Sequence, residues 1–311
     1  MKIIKNIQNP IYHELKKLKL ISDKNLIKIN NKIRDKKMAV FKDKKEKVIF
    51  LEKFTTNINY YSSIKYKDND RKIIQKSKKK YKYVKTLSGH IKMPLLDDAL
   101  RRNDQFQKLL HNKEILDFGC GWAGFLRSVK NAKSLHGVEL RDECIEFIKL
   151  NFKKINISNN INSFDKKFDI ITLFHILEHI PNQILTLKNL KSKLKNKGKI
   201  IIEVPHAEDF LILQDELKEF KDYTFFSEHL ILHTFKSLKT ILVKAGFKKI
   251  NIKFYQRYNF ANHLGWFLKR KPGGHEFYNQ IVSKEFDKCY KENLIKIGQT
   301  DTLIAVAENH G

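Results

Sequence analysis

From residue 114 onward, short apolar runs alternate with longer stretches whose apolar residues recur at helical spacing. Ile115-Leu116-Asp117 reads as a strand, and Gly124 to Val129 opens a helix. Leu135 to Glu139 reads as a second strand, followed by a helix over 143–152 and a weak third strand near 155–161. Phe168 to Phe174 predicts a fourth strand, 182–194 a helix, and 199–204 a fifth strand. Strand and helix in strict alternation predict an α/β fold with a mainly parallel sheet and crossover helices. Further on, 234–245 reads as a helix closed by Gly246, 249–255 alternates as a strand, and 301–307 supplies a last one. An insertion, residues 257–299, separates these two strands and looks partly helical. Upstream, Leu95, Leu96, Leu100, Phe106, Leu109 and Leu110 have helical spacing. Residues 1–85 show no sustained period, although Lys47 to Leu51 suits a strand. The pattern therefore predicts an accessory segment over 1–94 and a domain over 95–311.

Composition adds a soluble, globular expectation. The chain has 311 residues, 41% hydrophobic and 31% charged, enough to bury a sizeable core. No apolar run is long enough to span a bilayer, and the basic start has no continuous apolar stretch after it, so a cytoplasmic protein is expected. Cys120, Cys144 and Cys289 are far apart and show no C-x-x-C spacing, which argues against a disulfide framework or a cysteine zinc knuckle. The net charge of +28 favours non-specific attraction to polyanions. Nearly all of it is Lys, in a chain also rich in Asn and Ile; these residues share A/T-rich codons, so genomic bias accounts for it without any partner. Tyr60, Tyr61, Tyr66, Tyr81 and Tyr83 lie among the N-terminal lysines, where they either stack on bases or pack a small subdomain.

The stretch LDFGCGWAG carries Gly119-x-Gly121-x-x-Gly124, with Glu139 at the spacing of a dinucleotide-binding acid. Asp117 speaks against a dinucleotide, because a carboxylate two residues before the first glycine would repel a pyrophosphate. It suits a ligand with a cationic amine and a sulfonium beside its ribose. DFGCG after the first strand and LEH after the fourth resemble class I S-adenosylmethionine-dependent methyltransferases, over residues 95 to about 308. The resemblance implies a Rossmann-like doubly wound sheet with an antiparallel C-terminal strand. It implies that Asp117, Gly119, Cys120 and Gly121 surround the methionine part of the cofactor and that Glu139 binds the ribose hydroxyls. It further implies that Leu140 and the Asn160–Ile161 region line the adenine and that Phe174 and His175 flank the methionine part. Ala123 stands where a third closely spaced glycine is common in the family.

His175-Ile-Leu-Glu178-His179 also matches the H-x-x-E-H pattern of inverted zinc peptidases. Pro181 cuts any helix there too short to carry both histidines on one face. With Glu228 and His229, the same segment offers N and O ligands for a divalent ion; packed histidines are the simpler expectation, and no metal is expected. For a hydroxyl acceptor a general base is needed, and His206, just past the fifth strand, is the first choice, with His179, His229 and His233 behind it. The insertion YQRYNFANHLGWFLKRKPGGH mixes aromatic and basic side chains. Aromatic rings stack on sugar or base faces, and Arg257, Lys269, Arg270 and Lys271 are candidates to hold phosphate. The stretch resembles insertions in bacterial methyltransferases from surface-polysaccharide gene sets, which implies a nucleotide-linked sugar or glycan acceptor. Packed around Phe260, Leu264, Trp266 and Phe267, it would also serve as a lid. The expected function is methylation of a small or saccharide acceptor at oxygen. The rivals are an RNA methyltransferase and a non-catalytic nucleic-acid-binding or scaffold protein; the missing N/D-P-P-Y/F motif lowers the amino-methylating form of the first.

Overall fold

The computed structural model describes residues 7–56, 60, 83–86, 89–92 and 97–310. Tyr61, Tyr66, Tyr81 and the side chain of Tyr83 lie outside the described residues. One seven-stranded sheet carries the α/β pattern. Its strands, numbered here in chain order, are β1 (Glu114–Phe118), β2 (Ser134–Val138), β3 (Ile155–Ser158), β4 (Phe168–Phe174), β5 (Leu194–Pro205), β6 (Lys248–Tyr255) and β7 (Thr302–Glu308). Their order across the sheet is β6-β7-β5-β4-β1-β2-β3, mainly parallel with an antiparallel C-terminal ending. Ile115 pairs with Leu135 on one side and Ile170 on the other, both in parallel register. Ile115 and its neighbour Leu116 are fully buried, as are Ile171 and its neighbour Thr172, which adjacent residues can be only where a sheet is covered on both faces.

Two compact units make up the fold. One contains Thr56–Phe174, Lys188–Ile201 and Ala307–Gly311, and so holds β1 to β4 with the glycine loop. The other contains Met1–Thr55, His175–Leu187 and Ile202–Val306. In this second unit the N-terminal residues do not stand apart. Strands Leu26–Lys32, Lys37–Asp43 and Ile49–Leu51 form an antiparallel sheet whose fourth strand is Ile231–Leu232, supplied from far along the chain. Val40, Ile49, Leu51 and Leu232 of that sheet pack with Leu211, Phe225 and Trp266 into one core. The insertion contributes the helices Phe260–Lys269, Gly274–Tyr278 and Lys284–Ile297. The first two touch backbone to backbone: a Cβ added to Gly265 would lie 2.4 Å from Gly274 Cα, and one on Gly274 would lie 2.3 Å from Ala261 O. Among the described residues no helix is long and apolar enough to cross a membrane.

Asn9 secures the N-terminal end of this unit. Its side-chain oxygen accepts from Ile11 N at the start of the helix Pro10–Lys17, while Nδ2 donates to Leu51 O at 2.9 Å and to Leu230 O at 3.0 Å. The residue is 1% exposed, so no water replaces what it supplies. Asn9→Ala removes a helix cap and one donor from each of two buried carbonyls, of which Leu230 O keeps Leu51 N at 3.1 Å, and is expected to cost about 1–3 kcal/mol in chemical denaturation.

Candidate functional site

The glycine loop is shaped by left-handed backbone. Gly119, Gly121 and Ala123 have φ of 78°, 54° and 55°. Glycine takes that region freely, but Ala123 pays a steric cost of about 1–2 kcal/mol. The bend ties the loop to the end of β2, where Gly119 N and Cys120 N both donate to Val138 O. Gly137 keeps β2 and the loop close, since a Cβ there would lie 2.7 Å from Cys120 Sγ. The Cys120 thiol, pushed far up by burial and by Asp117, stays a neutral packing group.

Two carboxylates face this loop. Asp117 Oδ1 accepts from Thr172 Oγ1 at 2.7 Å, and its other oxygen has no hydrogen-bond partner among the described residues. Burial raises its pKa to about 6, against the pull of Thr172 and Arg102. Glu139 Oε2 accepts from Gly121 N at 2.8 Å; Oε1 accepts from Leu140 N, Arg141 N and Arg141 Nε. A ligand diol can join Oε2 directly, whereas a grip on both oxygens requires the Arg141 side chain to release Oε1. Leu140, next in the chain, is 49% exposed and offers an apolar face. Asn160 caps the turn Ile161–Ser163 by accepting from Asn162 N, which leaves Ile161 half-buried. Phe174 packs edge-on against Phe125 and carries the Arg102 guanidinium 4.4 Å above its ring. Two acids, a glycine bend and apolar neighbours suit a ligand with an ammonium, a sulfonium, a ribose and an adenine. S-adenosylmethionine therefore fits these residues.

The chain leaves β4 at His175 with φ of 55°, a left-handed conformation unusual for this side chain. Its backbone N donates to Glu203 O. Its ring spans two fully buried carboxylates, with Nδ1 3.2 Å from Glu178 Oε1 and Nε2 3.1 Å from Glu203 Oε1. Arg257 Nη1 lies 3.0 Å from the same Nε2, and Arg257 Nε donates to Asp301 Oδ1 at 3.2 Å. Leu177–His179 forms a short 3-10 turn, so His175 and His179 do not share a helix face as a zinc peptidase requires. Glu178, His179 and His229 do bring one carboxylate and two imidazole ligand atoms within 4.8 Å of one another, a donor set able to hold a divalent ion.

A cavity of about 330 Å³ opens within this unit, lined among others by His206, Asp209, His229, Arg257, His263 and Trp266. His206 is 1% exposed, because the chain keeps pairing after β5 instead of turning into solvent. Its backbone N donates to Asp301 O, and it bridges His233 on its other side. Its Nδ1 lies 2.9 Å from Thr300 O, and a carbonyl only accepts, so Nδ1 carries the proton. Burial holds the ring below the usual histidine range and therefore neutral. Nε2 is buried without a hydrogen-bond partner, and Glu208 Oε2 lies 4.0 Å from it. Burial drives His229 to about 3 and His233 to about 4. His233 faces Ser237 beside the capping box of the helix Phe235–Lys244 and does not line the cavity; nor does His179.

Of the four basic residues named in the insertion, only Arg257 lines the cavity, and Asp301 already answers its charge. Arg270 donates to Glu216 O, and Lys269 sits 3.5 Å over the Phe277 ring. Trp266 is packed in the core, while Phe267 is 39% exposed. Sequence reasoning missed Arg34 and Asp209, which stand in no recognisable motif, and did not single out Asn262 and His263 of the aromatic and basic insertion; all four line the cavity.

Comparison with known proteins adds the lineage. A "Methyltransferase domain" family matches residues 92–252, just over half of the chain. The chain is 32% identical over 155 residues to "tRNA U34 carboxymethyltransferase" from Nautilia profundicola, covering 45% of this chain and 49% of that protein. It is 30% identical over 104 residues to "Ubiquinone biosynthesis O-methyltransferase" from Coxiella burnetii, covering 30% and 44%. The chain thus spans about half the length of the curated relatives it matches. A solved SAM-dependent methyltransferase from Archaeoglobus fulgidus has a TM-score of 0.44 at 19% identity, covering 68% of this chain and 93% of that one. The family match begins ahead of the helix Asp97–Leu110 and ends within β6, so it takes in every strand from β1 to β5. The chain belongs to the methyltransferase domain family.

Proposed function

We propose that the protein methylates a hydroxyl group of a small acceptor bound in the cavity lined by His206, and that this acceptor is a saccharide or nucleotide-linked sugar. The observation that carries this reading is His206 itself. A neutral imidazole with its proton fixed on Nδ1 and no hydrogen-bond partner on Nε2 can take a hydroxyl proton from an acceptor that reaches that buried nitrogen, with Glu208 4.0 Å away to favour the charged ring. Tyr223, Tyr258 and Trp266 give the cavity aromatic faces, while Asp209, Asn262 and His263 offer polar partners. That mixture suits a sugar ring, which has apolar faces and a rim of hydroxyls.

S-adenosylmethionine supplies a methyl group on a sulfonium, so the displacement needs alignment more than further activation. In our reading Asp117 takes the ammonium and Glu139 the ribose. Gly119, Cys120 and Gly121 give the backbone room to approach, and Leu140, Asn160 and Ile161 border the adenine. Phe174 and His175 hold the methionine part. His179 and His229 remain in support, as neutral rings beside Glu178.

A second reading, an RNA acceptor, draws on the tRNA-modifying relative and on the charge of +28. Incubation with labelled S-adenosylmethionine and either total RNA or a panel of sugars and sugar nucleotides separates the two. Label in RNA alone would reject the saccharide reading.

His206→Ala is expected to lower the single-turnover rate about 10²–10⁴-fold with cofactor affinity nearly unchanged. Loss of cofactor binding, or a rate near wild type, would remove His206 from the base role. Cofactor binding should also depend on pH. The ligand ammonium favours ionised Asp117, whose pKa is about 6, so affinity is full above that pH and falls as pH drops through it. Calorimetry with S-adenosylhomocysteine should show about a tenfold loss for each pH unit below 6. The Asp117→Asn variant should bind weakly and lose that slope.

A further inference from the structure

The cavity wall holds a charge that no carboxylate among the described residues answers. Arg34 lies in the turn between the strands Leu26–Lys32 and Lys37–Asp43, and it lines the cavity. Its backbone N donates to Phe225 O, and its Nε donates to Tyr223 O at 2.6 Å. The guanidinium carbon sits 4.1 Å from the Tyr223 ring centre and 5.1 Å from that of Phe226. These contacts fix the plane of the group while using neither terminal nitrogen. The nearby acids are engaged elsewhere: Asp35 accepts from Ser227 N and lies 3.6 Å from Lys36, and Asp222 accepts from Asn30 and lies 3.6 Å from Lys32.

Arg257, the other arginine of the cavity, is matched by Asp301. Asp209, raised by burial to about 7, readily gives up its charge. Arg34 is therefore the uncompensated member. A guanidinium held flat with two nitrogens unclaimed is a fork for a planar or tetrahedral oxyanion. Stacking on two rings also lowers the entropy lost when an anion docks.

We propose that Arg34 binds an anionic group, phosphate or carboxylate, on the compound that fills this cavity. The acceptor is then an acidic hydroxyl compound, and the N-terminal segment supplies its specificity. The second statement rests on the cavity being the acceptor site, as argued above; the anion site itself does not.

The test uses the full chain saturated with S-adenosylhomocysteine. Inorganic phosphate, glucose 1-phosphate, glucuronate and glucose are titrated by calorimetry at fixed ionic strength into wild type, Arg34→Gln and Arg34→Lys, with thermal melts confirming that each variant folds. At least one anion should bind wild type and lose about tenfold or more in Arg34→Gln, the scale of a lost charge-assisted hydrogen bond. Arg34→Lys should recover part of that loss, and the response to glucose should not change. Preference between the phosphate compounds and glucuronate identifies the anion. The proposal is overturned if no anion binds wild type, or if anions bind Arg34→Gln as well as wild type. Methyl transfer to the same compounds is read separately: Arg34-dependent binding without transfer would count against the cavity as acceptor site and leave the anion site standing.

Discussion

A buried carboxylate must find donors: Glu178 lies against His175 Nδ1 and Asp301 accepts from Arg257, while Glu203 lies 3.1 Å from the imidazole nitrogen that Arg257 Nη1 also approaches. This shared network fixes the second unit. Glu203 reaches into it from the end of β5, Glu178 from the turn after β4, and Asp301 from the entry to β7. Breaking such a network by removing one member leaves a charge without a partner in low dielectric, which is far costlier than never having placed it there. The left-handed backbone at His175 is held against its own preference by those contacts. Asp301 has a further part, for it also accepts from the backbone of Arg257 and Tyr258. The insertion is thereby closed at its base, its first residues held by the residue that precedes β7.

The N-terminal sheet depends on a different constraint. It has only three strands of its own, and Ile231–Leu232 completes it just ahead of His233 and the helix Phe235–Lys244. Asn9 bonds to Leu51 and Leu230 at once, so the helix that opens the described chain is fastened to both sides of that joint. The same arrangement places Arg34 on the cavity wall.

The α/β order was legible in the sequence because each strand of β1 to β5 is a short apolar run with turn residues at its ends, and burial on both faces produces such runs directly. The glycine loop was legible for a local reason too: Gly119 and Gly121 adopt positive φ, which few other residues tolerate. Ala123 shows the limit, since it takes the left-handed region without glycine's signature. Arg34 was invisible among many lysines, because its distinction is the absence of a carboxylate partner among the described residues, which only the fold reveals. The pairing of Ile231–Leu232 with Ile49 and Phe50 was equally hidden, for two residues carry no periodicity. His206 was placed correctly after β5, yet its burial and its bare Nε2 depend on Thr300, some ninety residues away.

The contact between Gly265 and Gly274 has a bearing on how this chain can change. Every single-base replacement in a glycine codon that alters the residue adds at least a Cβ, and at either position that atom has no room. The surfaces of these helices, with Leu268 and Phe277 largely open to solvent, face no such limit. The insertion is therefore free to drift in what it presents while fixed in how its first two helices cross, so descendants of this chain would alter the face offered to a ligand far sooner than the frame that carries it.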